Sequence, residues 1–419
     1  MKRFAIGLLL TALVGAAAEL GTAKPEYVGL SPDRLQRIAP VMQKWIEEGK
    51  VAGAVGLISR RGRVAYFESY GSMDRESKKP MPKDAIFRIY SMTKAVTGVA
   101  VMILAEEGRF SILDPVSRYL PEFAHMQVAV EEKDSSGKAA THTVAATKQI
   151  TIRDLLRHTS GLNYAGPRGE DGSFGLAKAR AATAGQDLAA VIRAFAAVPL
   201  LREPGTAFDY SYSIDVLGRL VEVVSGTTLE EFFSKRIFEP LGMKDTGFFV
   251  PEEKWSRLAT LYRPTADASL VRISGGPQDS FKKKPSAFMG GEGLTSTARD
   301  YARFCQMLLN NGTLDGARIL GRKTVELMHA DHIEGLPRVG TTLPAGFGFG
   351  LTFAVNPGVG KTGVPGSEGE YYWGGAAGTR FWLDPAEQMF GVFMVQILPN
   401  GTLPYAERFR QMAYQAIVD

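Results

Sequence analysis

Cysteine is almost missing from this chain: Cys305 is the one thiol in 419 residues, so no internal disulfide can form. It lies in the apolar helical pattern from Tyr301 to Leu309, where a small core thiol is expected. Histidine is also scarce. With five histidines there are few partners for a serine–histidine–aspartate hydrolase, and no G-x-S-x-G turn is present to carry its nucleophile. His125 and His142 have no recognisable context, and His329 with His332 beside Asp331 is a lone H-x-x-H that reads as surface rather than as a metal pair. Charge of one sign is lacking as well. The formal balance is +5, or about +3 without Lys2 and Arg3, too little to argue for a nucleic-acid partner. Lys282-Lys283-Lys284 beside Pro285 reads as a solvated loop.

Long apolar runs are absent after the first residues, so no stable membrane insertion is expected of the mature chain. At the N-terminus Lys2-Arg3 precede an apolar run from Phe4 to Val14, followed by Ala16-Ala17-Ala18, the pattern of a secretory signal peptide. Removal of residues 1–18, or up to Ala23, and a periplasmic or secreted location are the expectations. The remainder has a globular composition, 45% hydrophobic and 22% charged. Its length suits one large domain or two interleaved lobes.

What the chain does have is Ser91-Met92-Thr93-Lys94. Phe87 to Tyr90 reads as extended and Ala95 to Glu107 as a buried helix, so Ser91 is expected to open that helix with Lys94 three residues on, on the same face. An amine held there can activate a serine for acyl transfer without histidine. Taken alone, the tetrapeptide more often marks a helix start with a solvated lysine. A tyrosine supports the chemical reading. Tyr210, in Phe208-Asp209-Tyr210-Ser211-Tyr212 after the turn Glu203-Pro204-Gly205, precedes the helical run from Val216, and a phenol beside a lysine can move the serine proton.

Strand patterns cluster at both ends. Ser31-Pro32 starts a helix, with Leu35, Ile38, Met42, Trp45 and Ile46 at helical spacing. Val51 to Ser59 and Arg63 to Tyr70 then read as a hairpin around Arg60-Arg61-Gly62. Phe347 to Val355, Tyr371 to Leu383 and Met389 to Leu398 read as strands, and Tyr405 to Val418 as a closing helix. Between about Ser111 and Pro285 the pattern is helical with almost no strand. The expected fold is therefore α/β (α+β): an antiparallel sheet flanked by helices, from 24–110 and 286–419, with an inserted all-helical lobe at 111–285.

Two stretches compete for a third motif. Lys361-Thr362-Gly363 is a literal K-T-G, yet Asn356-Pro357-Gly358 and Pro365-Gly366 flank it with turn residues unsuited to a sheet interior. Trp373-Gly374-Gly375 begins an extended run instead, and is preferred.

These motifs together resemble the serine β-lactamase and penicillin-binding-protein superfamily, in its class C-like branch and closest to the family VIII carboxylesterases. Asp114-Pro115-Val116, Tyr119-Leu120-Pro121, Thr151 to Leu162, Pro240 to Met243 and Gly290 to Leu294 are similar to the family's flanking blocks in the same order. The resemblance implies a β-lactamase/transpeptidase-like fold and a serine carboxylesterase acting through an acyl-enzyme on Ser91, with Lys94 and Tyr210 moving protons. It further implies an oxyanion hole from the amides of Ser91 and Ala376, and substrate contacts from Tyr212, Trp373, Gly374 and Gly375. His158 falls in a turn that is structural in that family. Tyr212 and Trp373 replace the asparagine and lysine usual in β-lactamases, which favours uncharged esters; no lid-like apolar helix is evident, so short-chain esters are expected, with weak cephalosporin hydrolysis beside them. The alternatives are a class C-like β-lactamase or D-amino acid peptidase, and a non-catalytic module that binds peptidoglycan or penicillin. No cofactor or metal is inferred. The expected partner is a small-molecule ester.

Overall fold

Ser31 accepts a hydrogen bond from the Arg34 amide at 3.3 Å with Pro32 at the first helical position, so the chain enters its first helical turn at the expected place. The computed structural model describes residues 19–133, 139–167, 175–267, 269–276, 279–340, 342–400 and 403–419, and the expected leader, residues 1–18, lies outside them. The elements that matter for the site are α1 (Ile38–Glu47), β1 (Gly53–Arg60), β2 (Arg63–Asp74), β3 (Lys79–Pro80), α2 (Thr93–Glu106), β4 (Gln127–Lys133), β5 (Ala139–Ala145) and α3 (Ser213–Ser225). After these come α4 (Ala298–Leu309), β6 (Gly348–Phe349), β7 (Ala354–Val355), β8 (Tyr371–Gly374), β9 (Arg380–Asp384), β10 (Met389–Met394) and α5 (Tyr405–Tyr414).

The main sheet has eight strands in the order β6-β7-β8-β9-β10-β1-β2-β3, every neighbouring pair antiparallel. The pairing of β1 with β10, Val55 opposite Met394, joins the N- and C-terminal thirds in the middle of the sheet. Burial explains the composition of these strands. All eight residues of β1 and all six of β10 are buried, so both faces are covered and apolar residues run without alternation. The terminal helix α5 packs Phe409 against Trp382 and Phe393, at ring separations of 5.8 and 5.2 Å. Helix α4 packs on β10, β1 and β9, carrying the buried Cys305. Helix α2 is buried from Thr93 to Leu104, on every side, which is why its sequence shows no polar stripe.

Three expectations are corrected. The segment from 111 to 285 is not all helical, since β4 and β5 form a hairpin in register from Gln127–Ala145 to Lys133–Ala139, and Tyr262–Pro264 pairs with Leu270–Arg272. Most of the hairpin is exposed, so it lacks the apolar alternation by which strands are recognised. The run from Tyr371 to Leu383 is two strands, β8 and β9, separated by a tight turn at Gly375–Thr379. Phe347 to Val355 is likewise two short strands, broken at Gly350–Phe353, where Thr352 takes a positive φ of 78°.

Candidate active site

Ser91 does not open the α-helix as expected; it lies in a 3-10 turn, Tyr90–Met92, that leads into α2 at Thr93. Tyr90 takes a positive φ of 42°, a strained geometry for a residue with a side chain, immediately before Ser91. Neighbours hold this turn in place. The Tyr301 hydroxyl donates to the Met92 carbonyl at 2.9 Å, the Leu294 amide donates to Thr93 Oγ1 at 3.1 Å, and Gln396 bonds both backbone groups of Arg88. Ser91 remains partly exposed while the residues after it are buried.

Lys94 Nζ lies 3.2 Å from Ser91 Oγ, as the spacing predicts. Two further oxygens complete its surroundings: the Tyr164 hydroxyl at 3.0 Å and the Gly291 carbonyl at 2.7 Å. A neutral amine has two protons and one lone pair. The Gly291 carbonyl can only accept and Tyr164 can accept as well, so the lone pair is left for the Ser91 hydroxyl proton.

Tyr210 is beside Lys94 but is not bonded to it through its hydroxyl. Lys94 Nζ sits 4.8 Å from the Tyr210 ring centroid, over the face, and the phenol oxygen instead accepts from Trp373 Nε1 at 3.0 Å. The Tyr210 proton is therefore free to be given to another group. Its ring is packed against His158 at 4.6 Å and Trp373 at 5.1 Å. His158 is fully buried, and burial, then the charge of Lys94, pushes its imidazole well below its ordinary range, leaving it neutral. Its Nδ1 accepts from the Ser211 amide at 3.2 Å, and the hydroxyls of Ser211, Ser213 and Ser160 continue the chain at 2.7 Å steps. This network ties the loop before α3 to the loop after Thr151–Leu156, fixing Tyr210 and Tyr164 relative to each other.

Tyr164, Gly291 and Asp215 were not singled out in the sequence. Burial pushes the Tyr164 phenol well above its ordinary range, with the charges of Tyr210, Asp215 and Glu292 adding to the effect. Tyr212, expected to meet substrate, packs its ring between Tyr164 at 4.6 Å and Phe195 at 4.7 Å and so supports Tyr164. Asp215 accepts from the Gly291 amide at 2.8 Å, and burial pushes its carboxyl up to about 7 against the Lys94 charge, which favours the ionised form. A Cβ on Gly291 would lie 2.5 Å from the Asp215 carboxylate, so only glycine lets this backbone serve Lys94 and Asp215 together. The available signals were weak: Tyr164 follows His158-Thr159-Ser160-Gly161-Leu162 by two residues, and Asp215 stands in the first turn of α3.

Trp373 is buried on β8, whereas Lys361 is exposed and donates to the Pro357 carbonyl within its own turn at 3.2 Å. Just after Trp373, Gly375 meets the nucleophile turn so closely that a Cβ would stand 2.3 Å from the Ile89 carbonyl. The amides of Ser91 and Ala376 donate to no other group among the described residues.

Other features do not assemble chemistry. His329 stacks on Tyr371 at 4.7 Å, and His332 Nε2 donates to the Leu327 carbonyl at 2.8 Å. A cavity of about 1060 Å³ lined by Phe238, Met243, Phe248 and Val250 contains none of the groups above. Its acids are already engaged, Asp245 with Lys254 and Arg257, Glu230 with Lys284, Asp315 with Arg303 and Glu239 with the Ser234 hydroxyl.

Known proteins are similar to this chain over most of their length. Protein Rv1367c of Mycobacterium tuberculosis is 35% identical over 84% of this chain and 88% of its own. Esterase EstB of Burkholderia gladioli is 29% identical over 84% of this chain and 87% of its own. The solved structure of EstCE1, described as a hydrolase with promiscuous acyltransferase activity, superposes with a TM-score of 0.74 at 29% identity, covering 92% of this chain and 98% of its own. The Beta-lactamase family model matches residues 36–415, and the chain belongs to that family.

Proposed function

We propose that this protein is a serine hydrolase of carboxylic esters, acting through an acyl-enzyme on Ser91. The observation that carries the reading is Ser91 Oγ at 3.2 Å from Lys94 Nζ. The names of EstB and EstCE1 support esters as the substrate class. In this reading neutral Lys94 takes the Ser91 proton as the oxygen attacks the ester carbonyl. The amides of Ser91 and Ala376 stabilise the oxyanion, each worth about 3 kcal/mol in the transition state.

When the intermediate collapses, Tyr210 gives its phenolic proton to the leaving alcohol. The Trp373 N–H and the new Lys94 ammonium over the ring stabilise the phenolate that remains. Water then attacks the acyl-enzyme, giving its proton to Tyr210, and Ser91 recovers its proton from Lys94 as it departs. Protons balance over the cycle. Trp373, in place of lysine, leaves no cation on β8 to hold a β-lactam carboxylate, which favours esters over β-lactams; short-chain esters are the preferred range. The N-terminal pattern Lys2-Arg3, Phe4 to Val14 and Ala16-Ala17-Ala18 supports export, with action in the periplasm or outside the cell.

The test is a panel of p-nitrophenyl esters from acetate upward, with a chromogenic cephalosporin at equal enzyme. Short esters are expected to dominate, and Ser91→Ala is expected to abolish turnover while leaving the circular dichroism spectrum unchanged. Activity of Ser91→Ala within tenfold of wild type, or cephalosporin turnover exceeding that of every ester, refutes the reading.

A further inference from the structure

The turn at 290–294 is fastened to α2 at three points. Thr97 Oγ1 donates to the Gly290 carbonyl at 2.6 Å, Lys94 Nζ to the Gly291 carbonyl at 2.7 Å, and the Leu294 amide to Thr93 Oγ1 at 3.1 Å. Glu292 lies between these anchors, so its position beside the nucleophile helix is fixed. It is half-buried, yet its carboxylate makes no hydrogen bond or ion pair among the described residues. Neither carboxylate oxygen is sealed from solvent, so a charged group on an incoming molecule can reach it without displacing a cation of the protein.

The charge of Glu292 reaches the site. Tyr90, Tyr164, Tyr212 and Asp215 are all raised, first by burial, and Glu292 adds to the rise in each. Cations act the other way: Arg88 on Tyr90 and Lys94 on Asp215, each outweighing Glu292 there, and Arg180 on Tyr212 and Asp215, where it weighs less than Glu292. Lys94 is already engaged with three oxygens. Three of the four groups on which the Glu292 charge acts are phenols, Tyr90, Tyr164 and Tyr212.

We infer that Glu292 is a specificity-determining residue which receives a positively charged ammonium group on the substrate, so that this site prefers cationic esters to neutral ones of the same shape. The inference rests on the ester-hydrolase reading above. The missing counter-charge then arrives with the substrate, and anionic esters are repelled from the same place.

The ammonium can belong to the alcohol or to the acyl group, and two matched pairs separate these. The first compares acetylcholine with 3,3-dimethylbutyl acetate, and the second compares alanine methyl ester, below its amine pKa, with methyl isobutyrate. In at least one pair the cationic ester is expected to lead in kcat/KM by about tenfold, the scale of one partly desolvated charge contact. Glu292→Gln is expected to remove most of that ratio and Glu292→Lys to invert it. A wild-type ratio near one in both pairs overturns the inference whether or not the variants fold, and so does a ratio unchanged in folded Glu292→Gln. Failure of the neutral esters to turn over at all strikes the ester reading itself and takes this inference with it; normal neutral turnover without cation preference refutes the role of Glu292 alone.

Discussion

Lys94 and Lys361 have the same side chain in two short motifs, S-x-x-K and K-T-G, and their surroundings differ at every level. Lys94 is buried on α2, with Ser91, Tyr164 and Gly291 offering it one oxygen each. Lys361 is exposed in a turn where Gly360 and Gly363 adopt φ of 85° and 69°, and among the described residues its amine meets only the Pro357 carbonyl. The helix gives Lys94 a fixed direction and its burial removes competing water, so its chemistry depends on three defined neighbours. The turn gives Lys361 neither. A motif acquires chemical meaning from the backbone that carries it, and here the strand position belongs to Trp373.

The contrast is sharpest in the largest expected effect. Lys94→Ala removes the group that accepts the Ser91 proton, and kcat/KM for a short ester is expected to fall by about a thousandfold, within the range of general acid-base catalysis. Retention of a tenth of wild-type activity by a folded Lys94→Ala protein breaks the assignment of Lys94 as the base.

The two tyrosines come next, because each touches Lys94 differently. Tyr210→Phe keeps the ring beneath the ammonium and removes the proton offered to the leaving alcohol, with an expected loss of about a hundredfold in kcat. Tyr164→Phe removes one hydrogen bond to Lys94 Nζ and is expected to cost about tenfold, chiefly in kcat, with the pH–rate profile displaced. That displacement distinguishes a positioning role from simple loss of packing. If Tyr164→Phe is the more damaging of the two, Tyr164 rather than Tyr210 moves the proton.

Much of this was legible in the chain. The Ser91–Lys94 spacing, Tyr210 before a helix and the turn composition around Lys361 are local signals, and local signals survive folding. The hairpin at Arg61-Gly62 and the strands of the first and last thirds were legible for the same reason. The long apolar run at Tyr371–Leu383 hid the turn at Gly375–Thr379, since residues buried on both sides of a turn leave no polar break to mark it. Tyr164 and Asp215 were hidden for another reason. Tyr164 bonds Lys94 from 70 residues away, and Asp215, 121 residues away, bonds the amide of the Gly291 that Lys94 also contacts; nothing in the spacing of one sequence encodes contact across such distances. The exposed hairpin at 127–145 lacked the alternation that core strands display.

The smallest expected effect closes the comparison between the motifs. Lys361→Ala removes an exposed amine bonded to one carbonyl of its own turn, and such surface substitutions change stability by less than about 0.5 kcal/mol. Ester turnover is therefore expected to stay within about threefold of wild type, because no contact of Lys361 leads to Ser91, Lys94 or Tyr210. Trp373→Ala is its counterpart on β8. It deletes the N–H bonded to the Tyr210 hydroxyl and the ring packed at 5.1 Å against Tyr210, so the phenol loses both its donor and its wall. A fall of about tenfold or more in kcat/KM is expected, with Tyr210→Phe adding little on the same background, since the two residues act through one hydrogen bond. Measured on one ester, a crippled Lys361→Ala beside an active Trp373→Ala reverses the assignment and returns the literal K-T-G to the active site.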